Sequence, residues 1–209
     1  MQAGTHWEDV YAAKPADSVS WFQTSAERSL RLISEAAAGK DAAIIDVGGG
    51  ASTLIDGLLA SGFDDVTVVD LSRSGLEVSK ARLGAAANRP TWIAGDILSL
   101  DLPRHRFDIW HDRAVFHFLI DEADRRTYLG QVRRALRPGG HVVIATFAED
   151  GPLRCSGLPV RRYSAGELAA EFGAPFTPVS HEHETHVTPG GGSQAFVYCL
   201  FRLEPDEAA

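Results

Sequence analysis

Cysteine is scarce in this 209-residue chain: Cys155 and Cys199 are the only two. They cannot build a multi-bridge framework, so a reducing compartment is the expectation. Lysine is scarcer than the charge total implies, because only Lys14, Lys40 and Lys80 stand among 20 basic residues. Against them stand 28 acidic residues, for a formal charge of −8. That balance argues against a nucleic-acid scaffold, which carries a basic face. No apolar run approaches the roughly 18 residues of a membrane helix. The first residues, Met1 to Asp9, are polar and acidic, unlike a secretory signal. The expectation is a soluble cytoplasmic protein with neither membrane nor nucleic acid as partner. Apolar types at 44% and charged types at 23% are ordinary for a globular domain and argue against disorder. No internal repeat or low-complexity linker interrupts the chain.

Two patterns alternate between residues 27 and 147. Short β-branched runs occur at Ala42 to Val47, Val66 to Val69, Thr91 to Ala94, Phe107 to Trp110 and His141 to Phe147. Near-continuous apolar runs fit strands buried on both faces of a parallel sheet. Between them lie stretches of helical spacing. Leu54, Ile55, Leu58 and Leu59 mark one face, closed by Gly62; Ser74 and Glu77 read as a capping box. Leu129, Val132 and Leu136 repeat on a third helix, and Arg137-Pro138-Gly139-Gly140 reads as the turn that ends it. Strand and helix in alternation mean βαβ units and a doubly wound α/β sheet. After residue 150 the pattern changes. Ser164 and Glu167 form another capping box ahead of Leu168 and Phe172. Extended runs from Phe176 to Val187 and from Ala195 to Leu203 flank a glycine loop, which reads as an antiparallel hairpin.

The strongest local signal is Ile44-Ile45-Asp46-Val47-Gly48-Gly49-Gly50-Ala51-Ser52-Thr53, where a buried strand meets three glycines and a helix begins at once. Glycine is needed where backbone turns sharply and where a ligand touches main chain, and the helix start presents free N–H groups. Such a turn suits nicotinamide, flavin or adenosyl ligands alike. Two further acids sharpen the choice. Asp70 closes the second strand, where a carboxylate accepts bonds from ribose hydroxyls. Asp96 follows the third, placed for the exocyclic amine of an adenine with Ile97 against the ring. A dinucleotide would bring its pyrophosphate beside Asp46, and like charges repel. A ligand carrying an ammonium and a sulfonium is attracted instead, so coulombic sign favours S-adenosylmethionine.

These residues resemble class I S-adenosylmethionine-dependent methyltransferases. Asp46-Val47-Gly48-Gly49-Gly50 looks like the family's first motif, Asp70 like its ribose acid and Gly95-Asp96-Ile97 like its adenine contact. Phe107-Asp108-Ile109-Trp110-His111 resembles the fourth strand, and Leu136-Arg137-Pro138-Gly139-Gly140 the turn before the fifth. The terminal hairpin matches the family's antiparallel last strand. The resemblance implies a seven-stranded, Rossmann-like methyltransferase fold over residues 27–203, behind a helical N-terminal cover over residues 1–26 and ahead of an acidic tail over residues 204–209. It implies S-adenosylmethionine as cofactor, with Ser52, Thr53, Leu71, His111 and Trp21 completing the cofactor set.

The segment His111-Asp112-Arg113 to Leu119 then faces the sulfonium and the acceptor. It lacks the proline pair of nucleobase amino-methylating relatives. Methyl transfer is a displacement at carbon, so a base is required only where the acceptor holds a proton near neutrality; His111 and His117 are the candidates. Arg113 is placed for an anionic substrate or for the cofactor's carboxylate. Tyr11, Cys155, His186 and Gln194 are expected to line the acceptor pocket, while Trp7, Tyr11, Trp21 and Phe22 cover the cofactor. His181 and His183 share one face of their strand and His186 takes the other, which splits the set and disfavours a metal. The expected reaction is methyl transfer to a small acceptor, with a thiol or another soft nucleophile first. A protein lysine acceptor, a non-catalytic adenosine-ligand module and a nicotinamide oxidoreductase are the alternatives.

Overall fold

The computed structural model describes residues 2–205, so most of the expected acidic tail lies outside the described residues. Five apolar runs need cover on both faces, and the chain provides it with helices on either side of one sheet. The parallel strands are β1 (Ile44–Val47), β2 (Val66–Asp70), β3 (Thr91–Ala94), β4 (Phe107–Arg113) and β5 (Leu136–Phe147). Two short strands, β6 (Arg154–Cys155) and β7 (Leu158–Pro159), form a separate hairpin. The long strands β8 (Phe176–Val187) and β9 (Ser193–Leu203) pair antiparallel and complete a seven-stranded sheet of order β3-β2-β1-β4-β5-β9-β8. This is the α/β Rossmann-like architecture with a C-terminal antiparallel hairpin.

The helices are α1 (Gln2–Ala13), α2 (Glu27–Ala36), α3 (Leu54–Ala60), α4 (Arg73–Leu83), α5 (Glu122–Ala135) and α6 (Ala165–Phe172). On one face Tyr128 and Val132 of α5 and Leu168 and Phe172 of α6 pack with Trp110, Phe116 and Phe201. On the other, Ile33 of α2 and Leu54 and Leu58 of α3 pack with Phe63, Phe196 and Tyr198. Among the described residues no helix is long and apolar enough to cross a membrane.

Local boundaries differ from the sequence reading in three places. The capping serine of α4 is Ser72, whose Oγ accepts from the Gly75 N–H at 3.0 Å. The Ser74–Glu77 box does not form, because the chain turns immediately after β2. The Ser74 N–H points to the Glu8 carboxylate of α1, and Glu77 pairs with Lys80. Leu136 belongs to β5 rather than to the preceding helix: Phe107 pairs with Leu136 and Ile109 with His141, so residues 137–140 bulge out of register around Gly139 at φ +81°. Strand β4 continues past Trp110 to Arg113, which carries His111 into the sheet interior. The second capping box, Ser164 with Glu167, forms in both halves.

Candidate active site

The C-terminal tips of the parallel strands meet at the glycine turn. Gly48 has φ +74° and Gly50 φ +30°, conformations that side chains disfavour. A Cβ on Gly48 would lie 2.1 Å from Val115 Cγ2; one on Gly50 would lie 2.7 Å from Tyr11 Oη and 2.8 Å from Asp70 Oδ2. The turn is therefore a close approach of backbone to three side chains. Ser52 and Thr53 serve the turn itself: Ser52 Oγ accepts from the Leu54 N–H, and Thr53 Oγ1 donates to the Gln23 carbonyl.

A cavity of about 380 Å³ opens beside the turn, within the range of small-molecule sites. One end is lined by Leu71, Asp96, Ile97 and Leu98, the middle by Gly48, Asp70 and Arg113, and the other end by Trp7, Phe118, Cys155 and Leu158. A second, small cavity of about 50 Å³ lies against Ser29, Asp46, Gly48, Ser52 and His111.

The three acids meet different fates. Asp70 is buried, its Oδ1 accepting from the Ser72 N–H at 2.7 Å. Burial pushes its carboxyl up to about 7, with the Asp46 charge adding to the rise. Asp96 stays exposed on the cavity wall, its Oδ1 accepting from the Leu98 N–H at 2.9 Å. Asp46 is buried; Oδ1 accepts from His111 Nδ1 at 2.7 Å, and Oδ2 has no partner among the described residues. An orphaned buried carboxylate oxygen is costly, and an ammonium that reached it would satisfy it. Glycines that admit backbone contact, Asp70 and Asp96 on the wall of the large cavity and an orphaned acceptor on Asp46 fit an adenosyl amino acid.

The N-terminal segment covers this cleft. Glu8 of α1 accepts from the Arg73 N–H at 2.5 Å at the start of α4, tying the two helices together. Trp7, Trp21 and Phe118 meet edge to face, Trp7 lying 5.7 Å from Trp21 and 5.2 Å from Phe118 between ring centroids. Tyr11 and Trp21 line both cavities, and burial pushes the Tyr11 phenol well above its ordinary range. Arg113 also lines both. Its Nε donates to Tyr198 Oη at 2.9 Å, Nη1 donates to the Trp21 carbonyl at 3.2 Å, and the guanidinium lies 4.3 Å from the Phe196 ring centroid. Cys155 faces the large cavity as a thiol that burial pushes up to about 11.

Four expected roles do not survive this geometry. His111 is buried with both ring nitrogens engaged, Nδ1 by Asp46 and Nε2 by Ser29 Oγ at 2.9 Å, so it has no free site for an acceptor's proton. His117 is also buried: Nδ1 accepts from the Phe147 N–H at 3.3 Å, and the rings of Phe118 and Phe147 flank it. The short 3₁₀ turn Phe116–Phe118 directs it into the core rather than to the cavity. His186 turns to the Ser20 carbonyl at 2.8 Å, and Gln194 sits opposite it in the sheet register. Neither reaches the cavity lining. On the outer face His181 and His183 lie 6.5 Å apart between ring centroids. Among the described residues no cluster of three or more His, Cys, Asp or Glu could hold a metal ion.

His117 carries a pH signature. Burial, reinforced by the Arg113 charge, draws its imidazole down to about 3 from 6.5. The unfolded chain therefore binds a proton in this window that the fold excludes. Stability falls as pH drops below about 6.5, at most ~1.4 kcal/mol for each pH step of one. Urea melts at pH 7, 6 and 5 should show that slope reduced in His117→Gln, and an identical slope in the variant would contradict the assignment.

Within residues 112–120 the anchor is Asp112 rather than a histidine. It is fully buried, accepts from the Val115 and Phe116 N–H groups and from Tyr128 Oη, and holds the loop that carries Val115 and Phe118 to the cavity. An acid followed three residues later by a short turn is the sequence signal that could have found it.

The family model described as a methyltransferase domain matches residues 44–140, from β1 through the bulge of β5. The ubiquinone/menaquinone biosynthesis C-methyltransferase of Roseobacter denitrificans is 30% identical over 110 residues, 51% of this chain and 42% of that protein. An O-methyltransferase of Penicillium expansum is 29% identical over 158 residues, 74% of this chain and 53% of that protein. The chain thus spans about half the length of these curated relatives. Among solved structures, the 1,6-didemethyltoxoflavin-N1-methyltransferase of Burkholderia thailandensis, with bound 1,6-didemethyltoxoflavin and S-adenosylhomocysteine, superposes with a TM-score of 0.69 at 26% identity. The match covers 97% of this chain and 84% of that one. Residues 44–140 thus match a methyltransferase domain, and in its sheet order, its glycine turn and these likenesses the chain is similar to the class I S-adenosylmethionine-dependent methyltransferases.

Proposed function

We propose that this chain transfers a methyl group from S-adenosylmethionine to a small acceptor whose nucleophilic atom needs no base from the protein, with a thiol or selenol first. In this reading Asp70 accepts from the ribose hydroxyls and Asp96 from the adenine amine, while Ile97 and Leu71 cover the ring. Asp46 faces the amino-acid end, with Arg113 beside it for the carboxylate. Bound S-adenosylmethionine supplies an electrophilic methyl on a sulfonium. The chain's own task is alignment and exclusion of water, worth about 7–11 kcal/mol in favourable cases.

The observation that carries the acceptor class is the chemistry of the far end of the cavity. Trp7, Phe118, Leu119, Leu158 and Pro159 line it, with Cys155 as its thiol. Burial keeps that thiol protonated near neutrality, and both candidate histidines are engaged or buried elsewhere. Among the described residues no histidine lines this cavity, so an alcohol or a protonated amine would find no imidazole base here; the lining acids are Asp70, Asp96 and Asp124. A thiol, with an ordinary pKa near ~8.5, supplies a thiolate fraction by itself. The similar proteins include by name a C-, an O- and an N-methyltransferase, so their likeness does not select the atom.

The test is release of S-adenosylhomocysteine by the purified protein with a panel of small aromatic and aliphatic thiols, selenols, alcohols, amines and lysine peptides. Turnover concentrated in thiols and selenols is expected, rising with the thiolate fraction between about pH 7 and 9. Turnover confined to lysine peptides or alcohols would overturn the acceptor class. Donor binding without turnover on any acceptor would favour a binding module.

A further inference from the structure

Beneath the glycine turn, three buried polar side chains from three separate elements form one chain of contacts. Asp46 and His111 occupy paired positions of the adjacent parallel strands β1 and β4, which brings their side chains together on one face. Ser29 arrives from α2. The sequence is Ser29 Oγ to His111 Nε2 at 2.9 Å and His111 Nδ1 to Asp46 Oδ1 at 2.7 Å, with all three residues at most 3% exposed. An ionised carboxylate only accepts, so Nδ1 carries the hydrogen toward Asp46, and Nε2 meets the Ser29 hydroxyl. The order copies a hydrolytic triad. However, the hydroxyl opens only on the 50 Å³ cavity, room for a group the size of an ammonium and not for an acyl substrate.

What remains unsatisfied is Asp46 Oδ2, buried and without a partner among the described residues, on a side chain that lines that cavity. One oxygen is anchored and the other is left without a partner. We propose that Ser29 and His111 are positioning residues that orient Asp46 toward the α-ammonium of the methyl donor; this rests on the reading of the cleft as the donor site. Asp46 sets the tautomer, Ser29 holds the ring from its other side, and the Nδ1–H fixes which Asp46 oxygen is free. The histidine expected from sequence to be a base acts instead through the carboxylate beside it.

Two probes separate this role from a merely structural one. S-adenosylhomocysteine carries the α-ammonium; 5′-methylthioadenosine keeps the adenosine and sulfur and lacks the amino-acid tail. Calorimetric titration of His111→Gln is expected to show S-adenosylhomocysteine binding weakened by about tenfold or more, as for loss of a hydrogen bond to a charged group. Binding of 5′-methylthioadenosine should stay within about twofold, since that probe makes no contact with Asp46. The Asn side chain places its N–H near the position of Nδ1, so His111→Asn is expected to restore most of the affinity for S-adenosylhomocysteine. Ser29→Ala, which removes one hydroxyl, should reproduce the selective loss in weaker form. Equal losses for both probes, or no loss in His111→Gln and Ser29→Ala, would overturn the positioning role. Wild-type protein that binds neither probe would overturn the donor-site reading itself, and the two failures are thereby distinct.

Discussion

Asp70→Ala is expected to bind S-adenosylhomocysteine more than about tenfold more weakly than wild type, because hydrogen bonds to a charged group contribute roughly 1.5–3 kcal/mol. The same change should stabilise the ligand-free protein near pH 8. Burial holds the Asp70 carboxyl up at about 7 against 3.8 unfolded. Its contribution to stability is therefore fully present below about pH 4 and is lost as pH rises through about 7. The loss is at most ~4 kcal/mol, the free energy of carrying one proton fewer across that pH window. Ribose hydroxyls donate and so favour the ionised form. Affinity should rise between about pH 6 and 8 in wild type and stay flat in Asp70→Asn. Titration calorimetry and thermal melts on the same samples measure both effects, which run in opposite directions. Unchanged affinity in Asp70→Ala would remove Asp70 from the site.

Gly48→Ala is expected to lose donor binding and much of its stability together. The φ of +74° costs a side-chain-bearing residue about 1–2 kcal/mol. The new Cβ would meet Val115 Cγ2 at 2.1 Å, and such overpacking typically costs a further ~1–3 kcal/mol. Neither side can retreat easily. The Gly48 N–H is bonded to the Val69 carbonyl at 2.7 Å, and the Val115 N–H to Asp112 Oδ1 at 2.9 Å. For a chain of this size the sum is a fall in Tm of roughly 4–20 °C. Gly62→Ala is the control: Gly62 has φ +86° with nothing within 4 Å of its missing Cβ, so it should lose stability alone and bind the donor normally. Wild-type affinity in Gly48→Ala would show that the turn tolerates the methyl and is not a close approach to ligand.

The contrast between His111 and Asp46 shows where sequence reading stops. Both lie in stretches whose patterns mark them as strand tips, and the pattern alone sets the acid beside the glycine turn. Their contact depends on β4 lying next to β1 in register, and on α2 delivering Ser29 to the same point. His117 illustrates the same limit on a smaller scale. Its neighbours are apolar on both sides, and only the 3₁₀ turn decides that the ring goes inward. The capping box expected at Ser74 shows that two serines two residues apart satisfy one local pattern, and that the exit angle of β2 selects Ser72.

What the sequence by itself determined is local and periodic: buried parallel strands, amphipathic helices between them, a hairpin at the end, and glycines at one turn that must touch something. Those features follow from backbone sterics and from apolar spacing, which act over a few residues. The tertiary structure alone decided which polar groups share a cavity, which nitrogens of a histidine are already engaged, and which carboxylate oxygen is left free. These depend on strand order, register and burial, and the energy of a buried polar group is set by partners that come from distant parts of the chain.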